Sequence, residues 1–142
     1  MVLLSKDRIL VPIDFSEEAF EVLKDTLAFA GEPSAVHALY VMSPLEPTDP
    51  GIIWQTIDEE KRKEDVMETF AAKFPLDQYP GLNVVLEIGD PSAQIIDYAA
   101  EKDMELIVML SKGRKGISRF FVGTVTERVT RFSDCPVLVM RH

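Results

Sequence analysis

A chain of 142 residues, 46% hydrophobic and 27% charged, has the size of one domain and enough apolar surface to bury a core without disulfides or metal. Its formal charge of −9 disfavours general binding to nucleic acid or anionic membrane, whose phosphates repel an acidic surface. The single cysteine, Cys135, excludes an intramolecular disulfide and fits a reducing compartment, and with no leader-like start or bilayer-spanning apolar run the expected location is the cytoplasm.

Residues 8–13, RILVPI, form an unbroken apolar run of the kind found in strands buried on both faces, here β1. Pro12 lacks a donor and so belongs near the strand's end. Ser16 is placed to cap a helix whose first turn carries Glu17 and Glu18 and whose stripe is Phe20, Leu23, Leu27 and Ala30, stopped by Gly31 and Pro33. Residues 35–42 read as β2 and contain His37, for which a hydrogen bond local to the strand is expected rather than metal ligation, because the other histidine is His142. A loop follows with Pro44, Pro47 and Pro50.

An amphipathic helix is predicted over about 53–74, with Trp54, Ile57, Met67, Phe70 and Phe74 inward and the mixed charge run at 58–65 on a solvated face. Residues 82–88 give β3. Asp90 then caps a helix with Pro91 at its first position, running through Ile96, Ala99 and Ala100. Residues 104–110, MELIVML, are β4. The last helix, 125–132, is predicted with a capping box of Thr124 and Glu127 and a buried stripe of Val125, Val129 and Phe132. Residues 135–140 close the chain as β5, with Cys135 a small packed residue rather than a nucleophile. The alternation implies right-handed β-α units and a doubly wound α/β domain, a parallel sheet with helices on both faces.

In such folds ligands bind beyond the carboxyl ends of the strands where the winding reverses, which points to the ends of β1 and β4. Residues 109–129, MLSKGRKGISRFFVGTVTERV, place Lys112, Arg114, Lys115 and Arg119 in a loop free of acidic side chains, a local positive cluster suited to an anion. Gly113 and Gly123 let backbone N–H groups approach phosphate, the second at the positive end of a helix. Asp14 has two readings, an acceptor for an adenine amine or ribose hydroxyl and a support for the turn into the first helix. The basic loop likewise reads either as a phosphate site or as a solvated segment. No Walker-type P-loop, no G-x-G-x-x-G after β1, no Ser-His-Asp set and no paired-carboxylate metal site occurs in the sequence. Catalysis therefore has no positive support, and a binding protein rather than an enzyme is expected.

ILVPIDFSE at 9–17, HALYV at 37–41, GDPSAQIIDYA at 89–99 and GTVTERVTRFSDCPVLVMR at 123–141 together resemble the universal stress protein family, over nearly the whole chain. The resemblance implies one domain spanning 1–142, a five-stranded parallel sheet in the order 3-2-1-4-5 of Rossmann-like, adenine nucleotide alpha hydrolase-like type, and a stress-response role. It also implies a homodimer through the last strand around Pro136, Val137, Leu138, Val139 and Met140, which would cover an apolar edge. Nucleotide-binding members share Gly, two residues, Gly, nine residues, then Gly and Ser or Thr. Gly113, Gly123 and Thr124 match the second half, whereas Leu110 stands at the first glycine.

By the same resemblance Asp14 and Val41 would meet adenine, Leu110 the ribose side, and Gly113, Gly123, Thr124 and Val125 the phosphates. Pro12, Ile13 and Met109 complete the candidate set, and Lys112 adds charge neutralisation. The implied ligand is ATP, or ADP or AMP, with magnesium as an accompanying ion and no protein metal site. The alternative is a family member that binds no nucleotide and acts as a dimeric interaction module, and slow ATP hydrolysis is the enzymatic alternative.

Overall fold

The computed structural model describes residues 4–44, 59–111 and 123–141. Five strands form one parallel sheet: β1 Ile9–Pro12, β2 Val36–Met42, β3 Asn83–Ile88, β4 Leu106–Ser111 and β5 Val137–Arg141, in the order β3-β2-β1-β4-β5. The doubly wound sheet read from the alternation, and the order implied by the resemblance, are both present. Among the described residues four α-helices accompany it: α1 Glu17–Ala30, α2 Glu59–Lys73, α3 Pro91–Glu101 and α4 Thr124–Phe132. The strand ends differ from the sequence boundaries by one or two residues. Residues 104 and 105 lead into β4, where Glu105 N–H donates to Arg8 O at 2.8 Å before regular pairing begins.

The period of two in the strands builds two cores. Ile9 and Val11 of β1, with Leu106 and Val108 of β4, face α1 and α2 and pack with Phe20, Leu23, Phe70 and Phe74. Leu10, Leu39, Ile107 and Met109 face the other way, against Ile95 and Tyr98 of α3 and Val129 of α4. Central strands buried on both faces need apolar side chains at every position, which is why β1 and β4 read as continuous apolar runs. Burying each large aliphatic or aromatic side chain contributes about 1.5–3 kcal/mol.

The helix punctuation follows local chemistry. Ser16 Oγ accepts from Ala19 N–H at 3.2 Å, and α1 ends where Gly31 N–H donates to Leu27 O at 3.0 Å. Asp90 caps α3 through Ala93 N–H at 3.0 Å, with Pro91 at the first helical position. Pro33, expected only as a stop, opens a short 3-10 turn. The buried side of α3 runs through Ser92, Ile95, Tyr98 and Ala99, while Ala100 is exposed. The predicted helix 53–74 is observed as α2 from Glu59; Trp54 and Ile57 lie outside the described residues. Phe70 and Phe74 are buried as expected, and the charged run is largely exposed, with a Lys61–Asp65 pair at 3.1 Å.

Two expectations for α4 are overturned. Gly123 is the N-cap, no side chain caps the helix, and Thr124 is the first helical residue. The Thr124–Glu127 capping box is not formed, because Glu127 Oε1 accepts instead from Arg131 Nη2 at 2.6 Å. Phe132 is not in the buried stripe and is 61% exposed. At about 100° per residue it lies roughly 90° from the midline set by the buried Thr126 and Val129, and Val125, about 70° away, is half-buried. His37 does form a hydrogen bond, but a long-range one: its Nδ1 is 2.6 Å from the Tyr98 hydroxyl of α3. Among the described residues no helix is long and apolar enough to cross a membrane.

Candidate functional site

The carboxyl ends of the central strands enclose a crevice of about 360 Å³. Its geometry comes from unequal strand lengths. β1 pairs with β2 as far as Pro12 opposite Leu39, whereas β2 continues to Met42 and β4 to Ser111. Beyond Pro12 the chain turns away, Ile13 N–H making one last bond to Leu39 O at 2.9 Å.

Nine of the candidate residues surround this crevice: Pro12, Ile13 and Asp14 from the end of β1, Val41 from β2, Met109 and Leu110 from β4, and Gly123, Thr124 and Val125 from the start of α4. Two others, Lys112 and Gly113, lie outside the described residues, as do the cationic side chains Arg114, Lys115 and Arg119. The lining also includes Leu39, Tyr40, Pro91 and Ile95, which the sequence reading did not single out. Leu39 was legible, standing two residues before Val41 on one face of a strand. Pro91 and Ile95 come from α3, whose place over the crevice is a tertiary fact.

The two ends of the crevice are polar and its floor is apolar. At one end Asp14 Oδ1 accepts from Ser16 N–H at 3.0 Å and Ser16 Oγ at 2.6 Å. The turn-supporting reading of Asp14 therefore holds, with the carboxylate also at the crevice lining. At the other end α4 opens with Glu127 N–H donating to Gly123 O at 2.8 Å. The N–H groups of Thr124, Val125 and Thr126 precede the first complete helical bond and have no partner within the helix. Because Thr124 is not the cap, its hydroxyl is not used there; it makes no hydrogen bond among the described residues and is exposed.

Gly123 itself is informative. Its φ of −58° is open to any residue, and a β-carbon there would meet nothing within 4 Å among the described residues. Neither backbone conformation nor packing against those residues requires a glycine at this lining position. Leu110 is half-buried, lines the crevice, and packs against the core cluster on the α1 face. Its side chain is thus partly accommodated by the core.

Other titratable groups are engaged elsewhere. Asp90 is held below the usual carboxylate range by Ala93 N–H and the Ser92 hydroxyl, which favour its ionised form. His37 is held below its ordinary value first by burial and then by Lys102 and Arg8. Cys135 is half-buried, with Ser133 Oγ 3.4 Å from its sulfur. No group of three His, Cys, Asp or Glu side chains among the described residues is arranged to hold a metal.

Comparison with known proteins agrees with this architecture. The universal stress protein family model matches residues 6–141. Universal stress protein MJ0531 of Methanocaldococcus jannaschii is 32% identical over 139 residues, covering 94% of this chain and 81% of that protein. The solved structure of MJ0577 from the same organism is 27% identical with a TM-score of 0.73, and 96% of each chain is covered. A universal stress protein of Archaeoglobus fulgidus, solved in complex with dAMP, shares the fold at 21% identity and a TM-score of 0.56, with 98% of each chain covered. A match over almost the full length, with the sheet order and the crevice at the strand ends, places this chain in the universal stress protein family.

Proposed function

We propose that the chain is a regulatory binding protein for an adenine nucleotide, ATP or the related ADP or AMP, held in the crevice between β1 and β4 without chemical turnover. The observation that carries this reading is Gly123: a helix N-cap with ordinary backbone and, among the described residues, open space, followed at the crevice by N–H groups with no partner within the helix. The apolar floor of Leu39, Val41, Ile95 and Met109 suits the faces of a purine, and Asp14 supplies an acceptor at the opposite end. The Archaeoglobus protein that shares the fold is solved in complex with dAMP, an adenine nucleotide. Magnesium would enter as the counter-ion of the phosphates.

A thermal-shift titration with AMP, ADP and ATP, with and without magnesium, tests the reading. A ligand at a hundred times its dissociation constant stabilises the fold by about 2.7 kcal/mol; no shift with any of the three would refute nucleotide binding. Absence of phosphate release from bound ATP is expected, and release abolished by a crevice mutation would make the protein an enzyme.

The second reading, a dimeric interaction module without nucleotide, is favoured by Leu110 at the crevice where the nucleotide-binding pattern has glycine. Both readings include a homodimer along β5. That strand lies at one edge of the sheet, and Leu138 on it is 38% exposed, a combination that pairing with a second copy would cover. Sedimentation of Leu138→Glu against the unaltered chain tests this: loss of a dimer is expected, and a concentration-independent monomer in the unaltered chain rejects it.

A further inference from the structure

The turn leaving β1 contains a side chain in a backbone conformation that residues with a β-carbon avoid. Phe15 has φ +65°, in the left-handed region that glycine enters freely. Such outliers persist only where surrounding structure holds them, and they gather at functional sites. Here the restraint is the ring. Its centroid lies 4.6 Å from that of Tyr40, 6.0 Å from Phe20 of α1 and 6.3 Å from Phe70 of α2. The Lys73 ammonium is 6.0 Å from the same ring.

The residues on either side of Phe15 are tied to each other, since both Ser16 N–H and Ser16 Oγ donate to Asp14 Oδ1. The turn is therefore a closed unit with Asp14 at the crevice and the aromatic ring as its anchor. Tyr40, the ring's nearest aromatic partner, itself lines the crevice. A glycine would satisfy the backbone alone; what phenylalanine adds is attachment of the turn to β2 and α2.

We propose that Phe15 is a positioning residue of the crevice, acting through Asp14: its ring, set among Tyr40, Phe20 and Phe70, fixes where the Asp14 carboxylate meets the ligand. This inference rests on the adenine-nucleotide reading of the crevice. Ligand affinity then depends on the ring of Phe15, which is not itself part of the crevice lining.

Calorimetric titration of AMP into the unaltered chain, Phe15→Gly, Phe15→Tyr, Asp14→Asn and the Phe15→Gly/Asp14→Asn double variant tests it. Glycine relieves the backbone while removing the ring, and if that variant does not fold, Phe15→Leu replaces it in both the single and the double variant. Affinity is expected to fall about tenfold for Phe15→Gly, to stay within about twofold for Phe15→Tyr, and in the double variant to match Asp14→Asn, because a positioning effect has nothing left to position. Multiplicative losses in the double variant, or unchanged affinity in Phe15→Gly, would overturn the proposal while leaving nucleotide binding intact. An unaltered chain that binds no AMP, ADP or ATP removes the functional reading itself, and the role of Phe15 with it.

Discussion

Replacing Gly123 by aspartate should move stability and binding in opposite directions. Position 123 is an N-cap with φ −58° and ψ 153°, and no side chain now caps the helix. Aspartate is among the best N-caps, better than glycine by a few tenths of a kcal/mol. Removing a glycine from the unfolded chain adds about 0.4–1 kcal/mol where the new residue fits, and here a β-carbon meets nothing within 4 Å among the described residues. The free protein should gain about 1 kcal/mol, or roughly 3 °C in Tm for a chain of this size.

The same carboxylate would accept from the N–H groups proposed to hold phosphate and would repel its charge. Two like charges about 5 Å apart at an effective dielectric constant of about 20 interact by roughly 3 kcal/mol, so a hundredfold loss of affinity is the expected scale. At a nucleotide concentration that stabilises the unaltered chain by about 2.7 kcal/mol, the variant should gain only about 0.4 kcal/mol. Thermal shift reads both quantities from one pair of titrations. A variant that binds with unchanged affinity would mean that the start of α4 does not hold phosphate, and one that is destabilised without ligand would mean that the cap geometry is wrong.

Gly89→Ala should cost about 2 kcal/mol in urea unfolding, because φ is +151° and a β-carbon would stand 2.7 Å from Gln94 Nε2; Gln94→Ala in the same chain should recover part of the loss, and no recovery would assign the cost to backbone alone. Leu110→Gly should lower stability by about 2–3 kcal/mol and change nucleotide affinity by less than about threefold, since the side chain packs on the core; a tenfold gain would show that leucine obstructs the crevice. His37 binds its proton more weakly in the folded state than in the unfolded one, through burial and then Lys102 and Arg8. Its contribution is therefore complete above its ordinary pKa near 6.5 and declines as pH falls through that value towards the lower folded pKa. Denaturation midpoints of His37→Gln relative to the unaltered chain, between pH 8 and 5, should converge on acidification; a constant gap would remove the titration argument.

The strands were legible because burial on both faces leaves uninterrupted apolar runs, and the starts of α1 and α3 because Ser16 and Asp90 cap by chemistry local to a few residues. The start of α4 was misassigned by one residue for the same locality: Thr-x-x-Glu satisfies the capping-box pattern, but Glu127 has a better partner in Arg131 one turn on. Phe132 was misplaced because a spacing of three from Val129 leaves the stripe ambiguous until Thr126 is known to be buried. At the site, Asp14, Val41 and Gly123 stood out by pattern and resemblance. Tyr40, Pro91 and Ile95 did not, since their approach to the crevice depends on how β2 and α3 sit against the sheet. The backbone of Phe15 had no sequence signal, because phenylalanine gives no hint of a positive φ.

The crevice also follows from how far the sheet's middle strand is paired. Regular pairing of β1 with β2 ends at Pro12, with one further bond from Ile13 N–H to Leu39 O. The flanking strands run on, so the hollow arises from a notch in the sheet's middle strand and removes no side chain from either core. Cavities made by shortening core side chains weaken a fold in proportion to the volume left behind. A notch at the rim avoids that penalty, and its depth is set by where β1 turns away from its neighbours. The rim can then be altered at Gly123, where a β-carbon meets nothing within 4 Å among the described residues, while the layers beneath keep their packing.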